Sequence, residues 1–367
     1  MADGNTLIRI AEWFDRPAVQ NCMVVAGFLA LGAVVWWGKH DEQWRIAFRR
    51  FRKDRVGIFS AGIIALYLLI GVLEMIRVPT AGGAGGATQS LLMRMTSGIP
   101  QERSYGAPFA KIQISKDAEV AAAEASGDPA KLANAAQYRI TGTHLLGTTA
   151  LGKDTLVETL RACKTALLLG GVTSVIYIVL GTALGLIAGF FRGWVDDVIQ
   201  YIYSTLASIP QILLLVSMLL VLGKGLLSMA LALGVTMWVD LCRLIRGETM
   251  RQSERTYVTA ARALGQGTWR ILSRHLLPNV MHLVLIRFVL GFSGIVLAEA
   301  VLSYLGVGSP IGTPSWGAMI DGARNELSRE PMVWWNLAAA TAALFGLVLS
   351  LNLFGDALRR AFDPKRS

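Results

Sequence analysis

The run TALLLGGVTSVIYIVLGTALGLIAGFF, Thr165–Phe191, holds 27 consecutive uncharged residues. Wound as a helix rising about 1.5 Å per residue, it outreaches the roughly 30 Å hydrocarbon core of a bilayer. Soluble cores rarely contain one such run, and this chain contains six more. They are Pro17–Gly38, Val56–Leu73, Val198–Gly223, Gly225–Val239, Phe288–Ala298 continued past Glu299 to Val307, and Pro331–Gly355. Composition agrees, because 16% of the 367 residues are charged, against about 25% in ordinary soluble domains. The mean hydropathy is +0.49. No hairpin-spaced alternation of apolar and polar residues appears, which excludes a membrane barrel. The chain therefore reads as an all-α, multi-pass membrane protein. Cys22, Cys163 and Cys242 lie far apart and fit neither a disulfide framework nor a metal site.

The net charge of +10 is explained by where the positive residues sit. Cytoplasmic loops carry the excess of Lys and Arg. Seven fall in Lys39–Arg55, one is Arg192, seven lie in Arg243–Arg274, and four follow in the tail at Arg359, Arg360, Lys365 and Arg366. With these inside, the opposite side holds ten over the much longer stretch Arg77–Lys164, plus Lys224, Arg324 and Arg329. The density contrast puts the C-terminus in the cytoplasm and makes nucleic acid a poor partner. Pro17–Gly38 has two readings. It either spans, which puts the N-terminus outside and makes seven helices, or lies in the interface. No basic segment precedes it and no small-residue cleavage site follows, so it does not read as a signal peptide.

Between the spans, Ala81–Ala87 (AGGAGGA) has linker composition, and Lys116–Gln137 reads as two short helices around Gly127, Asp128 and Pro129. Residues 306–334 are dense in turn formers. Trp36–Trp37 and Trp334–Trp335 suit interfacial anchoring. The cytoplasmic stretch 246–278 is the most informative. A helix can start at Ser253–Glu254 and run through Tyr257, Val258, Ala260, Ala261 and Leu264, with Gly265 and Gly267 as its break. Trp269, Ile271, Leu272, Leu276 and Leu277 form a second helix that should end near Pro278. This helix–glycine–helix segment is too apolar to be left in water, so it reads as a docking surface.

Ala260, Ala261, Gly265, Leu277 and Pro278 resemble the EAA loop of ABC importer permeases, with Thr259 in place of the usual glutamate. His144–Asp154 (HLLGTTALGKD) resembles the HPLGTDxxGRD segment of the dipeptide/oligopeptide/nickel branch, with Thr149 and Lys153 as departures. Glu299–Gly308 (EAVLSYLGVG), Pro314–Gly317 (PSWG) and Asn352–Asp363 (NLFGDALRRAFD) resemble further stretches of that branch. The likeness covers Trp44–Ile76 and Thr141–Lys365.

It implies the type I importer transmembrane fold, six core helices plus an extra N-terminal helix, in a bacterial inner membrane. It divides the chain into an extension (1–43), a first core helix with its basic lead-in (44–76), an extracytoplasmic loop (77–140) and a core permease region (141–367). By the same resemblance, Tyr257, Ala260, Ala261, Leu264, Gly265, Leu277 and Pro278 couple to an ATPase. The implied partners are a homologous second permease, two ATPase subunits that carry ATP and magnesium, and an extracytoplasmic solute-binding protein. The implied substrate is a di- or oligopeptide, with a nickel chelate or another small solute as the alternative.

Several residues carry competing readings. Gly147–Lys153 spells G-x-x-x-x-G-K, but Asp154 stands where a phosphate loop needs Ser or Thr, so no nucleotide site or cofactor is expected in this chain. Glu299 either contacts a substrate amine in the translocation path or makes a helix-packing hydrogen bond near the interface. Pro210 should kink its span, either to line a cavity or simply to pack. Asp240 should pair with Arg243. His144, His275 and His282 form no ligand set, and no catalytic constellation appears, so an enzyme is not expected. An ion-driven secondary transporter would need inverted repeats and several intramembrane carboxylates; Glu299 is the one convincing candidate. A membrane sensor would need a larger cytoplasmic domain than Arg243–Asn279.

Overall fold

The computed structural model describes residues 42–79, 88–310 and 312–363, and it is predominantly helical. Pro17–Gly38, the linker 81–87, Trp36–Trp37 and the last tail residues lie outside the described residues. Helix α1 (Glu42–Phe51) leads through a short turn into α2 (Arg55–Met75). There Asp54 Oδ1 accepts from Val56 N at 3.0 Å and Gly57 N at 3.1 Å, satisfying two first-turn donors. Strands β1 (Arg77–Pro79) and β2 (Thr88–Ser90) pair antiparallel, and Ser90 caps the short α3 (Leu91–Met95). Helices α4 (Asp117–Ser126) and α5 (Pro129–Ala136) flank the expected turn. Gly127 is left-handed at φ 62, Asp128 caps α5 through Ala130 N, and Pro129 sits in its first turn.

The long helices follow. They are α6 (Thr155–Phe191), the pair α7 (Gly193–Ala207) and α8 (Gln211–Leu222), and α9 (Leu226–Ser253). After α10 (Thr256–Ala263), α11 (Thr268–Ile271) and a π-helical turn Leu272–Leu276, the chain continues as α12 (Leu277–Tyr304). Helices α13 (Trp316–Glu326) and α14 (Trp335–Phe362) complete it. Five described helical stretches are long and apolar enough to cross a membrane: α2, α6, α9, Thr268–Tyr304 and α14. The bent pair α7–α8 makes up to six.

Both expectations for the prolines are corrected. Pro210 does more than kink its span: α7 and α8 meet at 89°. Proline lacks an N–H and disfavours helical geometry in the residue before it, and Pro210 itself is extended at ψ 125. Pro278, in contrast, does not end its helix. The preceding turn widens to i→i+5 bonding, with Leu277 N donating to Leu272 O, and the helix runs on to Tyr304. The π turn admits a proline that a regular helix would reject.

The chain forms two compact units. One takes the described residues of Met1–Ile64, Leu168–Val296 and Val348–Ser367. Within it, α6 and α9 meet backbone to backbone. A Cβ on Gly181 would lie 2.9 Å from Trp238 O, on Gly185 2.8 Å from Cys242 O, and on Gly189 2.6 Å from Arg246 O. The i, i+4, i+8 spacing puts all three on one face, where absent side chains let the two backbones approach. Alongside it, Arg246 clamps Asp196 with two bonds, Nη2 to Oδ2 at 2.6 Å. This is the ion pair that forms; Arg243 instead lies over the Tyr203 ring at 4.8 Å, so the expected Asp240–Arg243 pair is not made. Helices α1 and α14 are joined by Trp44–Phe362 and Phe51–Phe354 edge contacts and by Arg360 Nη2 to Asp54 Oδ2 at 2.8 Å.

The second unit takes the described residues of Ala65–Leu167 and Leu297–Leu347. Trp316 is its buried hub: its ring meets Tyr67 edge-on at 5.9 Å, and its Nε1 donates to Thr159 O at 3.0 Å. A buried polar chain runs from Tyr105 Oη to Glu326 Oε1 (3.0 Å), from Asn336 Nδ2 to Glu326 Oε2 (2.9 Å), and from Thr155 Oγ1 to Asn336 Oδ1 (2.6 Å). Trp335 differs from its expected anchoring role. It is 3% exposed and donates Nε1 to Thr148 O at 3.0 Å, whereas its neighbour Trp334 is 54% exposed.

Candidate functional site

Helix α9 continues to Ser253, so the apolar segment starts later than its sequence suggests. Arg255, extended at φ −72 and ψ 148, is the residue before α10. Helix α10 ends in a paired reverse turn. Gln266 N donates to Ala261 O at 3.1 Å and Gly265 N to Arg262 O at 2.9 Å, with Gly265 left-handed at φ 72. This double bond pattern satisfies orphan carbonyls at the helix end and suits glycine at the left-handed position. Gly267 then restarts the chain in extended geometry ahead of α11.

Tyr257 braces the segment. Its Oη donates to Gln252 Oε1 at 3.0 Å and accepts from Asn279 Nδ2 at 3.3 Å, so one phenol ties α10 to the ends of α9 and α12. Burial pushes this phenol above its usual range, and the Asn279 bond partly offsets that. His275 Nε2 meets Gln266 Oε1 at 2.9 Å across the turn. Thr259, standing where the resembled loop has glutamate, returns its hydroxyl to Arg255 O at 3.1 Å.

The faces of the segment divide cleanly. Val258 and Ala261 are buried, while Ala260 is exposed, Leu264 is 80% exposed and Trp269 is 70% exposed. Leu277 and Pro278 lie half-buried past the π turn, in the continuing helix. Of the seven coupling candidates, Ala260, Leu264 and Gly265 therefore present an outward patch with Trp269. Tyr257, Ala261, Leu277 and Pro278 shape or support it.

Glu299 and Pro210 fall elsewhere. Glu299 is 3% exposed and its Oε1 accepts from Ser303 Oγ at 2.7 Å and Ser309 Oγ at 3.0 Å. Gly317 packs onto α12 nearby, where a Cβ would lie 2.7 Å from Ala300 Cα. The carboxylate thus holds the loop after α12 to its own helix. Pro210 stands at the exposed break between α7 and α8.

The family model for the binding-protein-dependent transport system inner membrane component matches residues 181–367, just over half of the chain. The chain belongs to this family. A second model, the N-terminal TM domain of oligopeptide transport permease C, matches residues 42–81 of the permease. Similar proteins include a glutathione transport system permease protein of Pectobacterium atrosepticum, 34% identical over 222 residues (60% of this chain, 73% of that one). A di/tripeptide transport system permease protein of Pseudomonas aeruginosa is 36% identical over 221 residues, covering 60% and 72%. A dipeptide transport system permease protein of Lactococcus lactis is 28% identical over 321 residues, covering 88% and 90%. Membership sets aside the secondary-transporter and sensor readings.

The phosphate-loop-like stretch of the permease is a structural turn. Thr148 N donates to Gly106 O, Thr149 N to Lys153 O and Thr155 N to Gly147 O, so these amides serve the fold. Gly147 and Gly152 are both left-handed, and Asp154 caps α6 through Val157 N at 3.0 Å. His144, buried, lies between Asp154 Oδ2 at 2.8 Å and Glu102 Oε1 at 3.4 Å. Glu102 Oε1 also accepts from Thr141 N at 2.9 Å and Gly142 N at 3.1 Å. Burial alone would raise the Glu102 carboxyl, but the bonds from Gly142, Thr141 and His144 outweigh it and hold the group below its usual value. Sequence reasoning passed over Glu102, because its partners lie about 40 residues away and follow no period. It also passed over Gly181, Gly185 and Gly189, whose small-residue spacing is a readable signal.

Proposed function

We propose that this permease imports peptides by alternating access, driven by separate ATPase subunits that seat the α10–α11 segment in a groove. The observation that carries this reading is the outward apolar patch of Leu264 and Trp269, 80% and 70% exposed on either side of a turn held by two backbone bonds. Apolar side chains so open to water mark a partner surface. The basic clusters support a cytoplasmic placement of this segment and the C-terminus, on the side where ATP is available.

A second, homologous permease completes the path, and a solute-binding protein delivers substrate from outside. ATP and magnesium reside on the ATPase chains. Closure of the ATPase dimer draws the coupling segments together, and the two permeases rock to open the cavity outward. ATP shifts this equilibrium only by binding one state better than the other. Peptide is the substrate class favoured by the names of the relatives described above. A nickel chelate, the alternative, appears in none of those names.

Co-expression with the partner subunits tests the reading. Labelled di- and tripeptides should enter proteoliposomes only with ATP, the binding protein and both permeases present. ATP-independent entry, or entry of a nickel chelate in place of peptide, contradicts it.

A further inference from the structure

Helix α1 has three faces, and the function above uses none of them. On the first, Trp44, Ala47 and Phe51 pack toward the chain, with Trp44 and Phe51 in ring contact with Phe362 and Phe354 of α14. Arg50 sits beside them and donates Nη1 to Asp363 O at 2.9 Å. A second face, about a third of a turn round the helix, carries a strip of Arg45, Phe48 and Arg49, continued at i+7 by Arg52 just past the helix end, all of them exposed. The Arg52 guanidinium lies 6.0 Å over the Phe48 ring, so the aromatic and the cations share a patch. Ile46, 43% exposed, flanks the strip on its other edge.

Charge makes the patch specific. Among the described residues Arg45, Arg49, Arg52 and Lys53 enter no ion pair, while the nearby Asp54 is committed to Arg360. One turn later the chain enters α2, long and apolar enough to cross a membrane, which sets the strip beside the entry to a candidate span. A helix with an exposed apolar edge and clustered cations at that depth matches the phosphate and acyl-glycerol layers of an anionic leaflet.

We propose that α1 docks anionic phospholipid, with Arg45, Arg49 and Arg52 holding the lipid phosphate and Phe48 entering the layer beneath it. The bidentate fork of arginine suits a phosphate better than a lysine ammonium does. The contact fastens α1, and through Trp44 and Phe51 the end of α14, to the membrane surface. The proposal rests on the cytoplasmic placement above. Labelling a Lys53→Cys variant with an impermeant thiol reagent from either side reads that placement separately.

The full-length permease in detergent, titrated with phosphatidylglycerol or phosphatidylcholine and read by native mass spectrometry, tests the proposal. The wild type should retain phosphatidylglycerol preferentially, and less at high salt. An R45Q/R49Q/R52Q variant should bind it about 100-fold more weakly, at roughly fivefold per arginine. Lys39, Arg50, Lys53 and Arg55 remain in that variant to hold the orientation. Equal retention of the two lipids by the wild type overturns the proposal, as does unchanged phosphatidylglycerol binding in the triple variant. Displacement of the lipid by inorganic phosphate assigns the strip to a free anion and overturns it too. If the triple variant fails to insert, the wild-type salt series decides: salt-insensitive retention contradicts a phosphate contact.

Discussion

The α10–α11 segment and the second compact unit treat side chains in opposite ways. The segment leaves large apolar groups in water, at Leu264 and Trp269. The second unit buries polar and ionisable ones, namely His144 between Asp154 and Glu102, Glu299 among serines, and Glu326 between Tyr105 and Asn336. Burying those groups costs free energy unless each is hydrogen-bonded, and each is. These polar clusters are therefore satisfied within the second unit, although it too leaves apolar side chains open, Phe109 at 69% and Leu151 at 67%. In the segment, Leu264 and Trp269 lie open at 80% and 70%, and in the proposed function another chain covers them.

Substitutions that respect this difference should separate stability from assembly. The largest effect on stability belongs to Trp316→Ala. It removes the buried hub of the second unit and should cost about 3–5 kcal/mol, seen as lost monodispersity on heating in detergent. Gly265→Pro comes next. Proline cannot adopt φ 72, and it deletes the donor to Arg262 O, so about 3 kcal/mol is lost at the turn itself. ATP-driven transport should fall to background while the chain remains in the membrane.

Acid sharpens the contrast by acting on the second unit. The folded-state value of Glu102 is depressed, so its stabilisation is present above the unfolded value of ~4.3 and disappears as pH falls through the folded one. Protection of the Thr141 and Gly142 amides against hydrogen exchange, taken relative to their intrinsic rates, should be high at neutral pH and fall away as pH drops below the unfolded value of ~4.3. The smallest stability change belongs to Leu264→Asp, within about 0.5 kcal/mol because the side chain already faces water. The same variant should lose ATPase subunits on purification, since a carboxylate then faces an apolar groove.

How much of this was legible in one dimension follows from the range of each contact. Membrane helices announce themselves by missing charge, a signal that needs no partner, and the α4–α5 pair announces itself through Gly127, Asp128 and Pro129. The turn at Gly265 was legible for the same reason, since a left-handed position selects its residue locally. Pro278 misled because a proline stops a regular helix, and the widened turn that admits it is invisible until the backbone is built. Pro210 was located correctly, but the size of its bend depends on the packing of two helices. The bracket around His144 stayed hidden because Glu102 lies 42 residues away, whereas the serine cage of Glu299 is local, with Ser303 four and Ser309 ten residues on, and its i, i+4 half was a readable signal. Asp240 was paired with its helical neighbour Arg243, whereas Arg246 reaches back 50 residues to Asp196.

The most direct test of the central claim is disulfide-type crosslinking of the assembled transporter. A Leu264→Cys variant, with Cys22, Cys163 and Cys242 replaced, would be compared with Phe109→Cys on the exposed surface of the second unit. With partner subunits present, the thiol at position 264 should link to an ATPase subunit and the thiol at position 109 should not. A transport-competent complex in which position 264 links to no ATPase, or in which both positions link equally, contradicts the account.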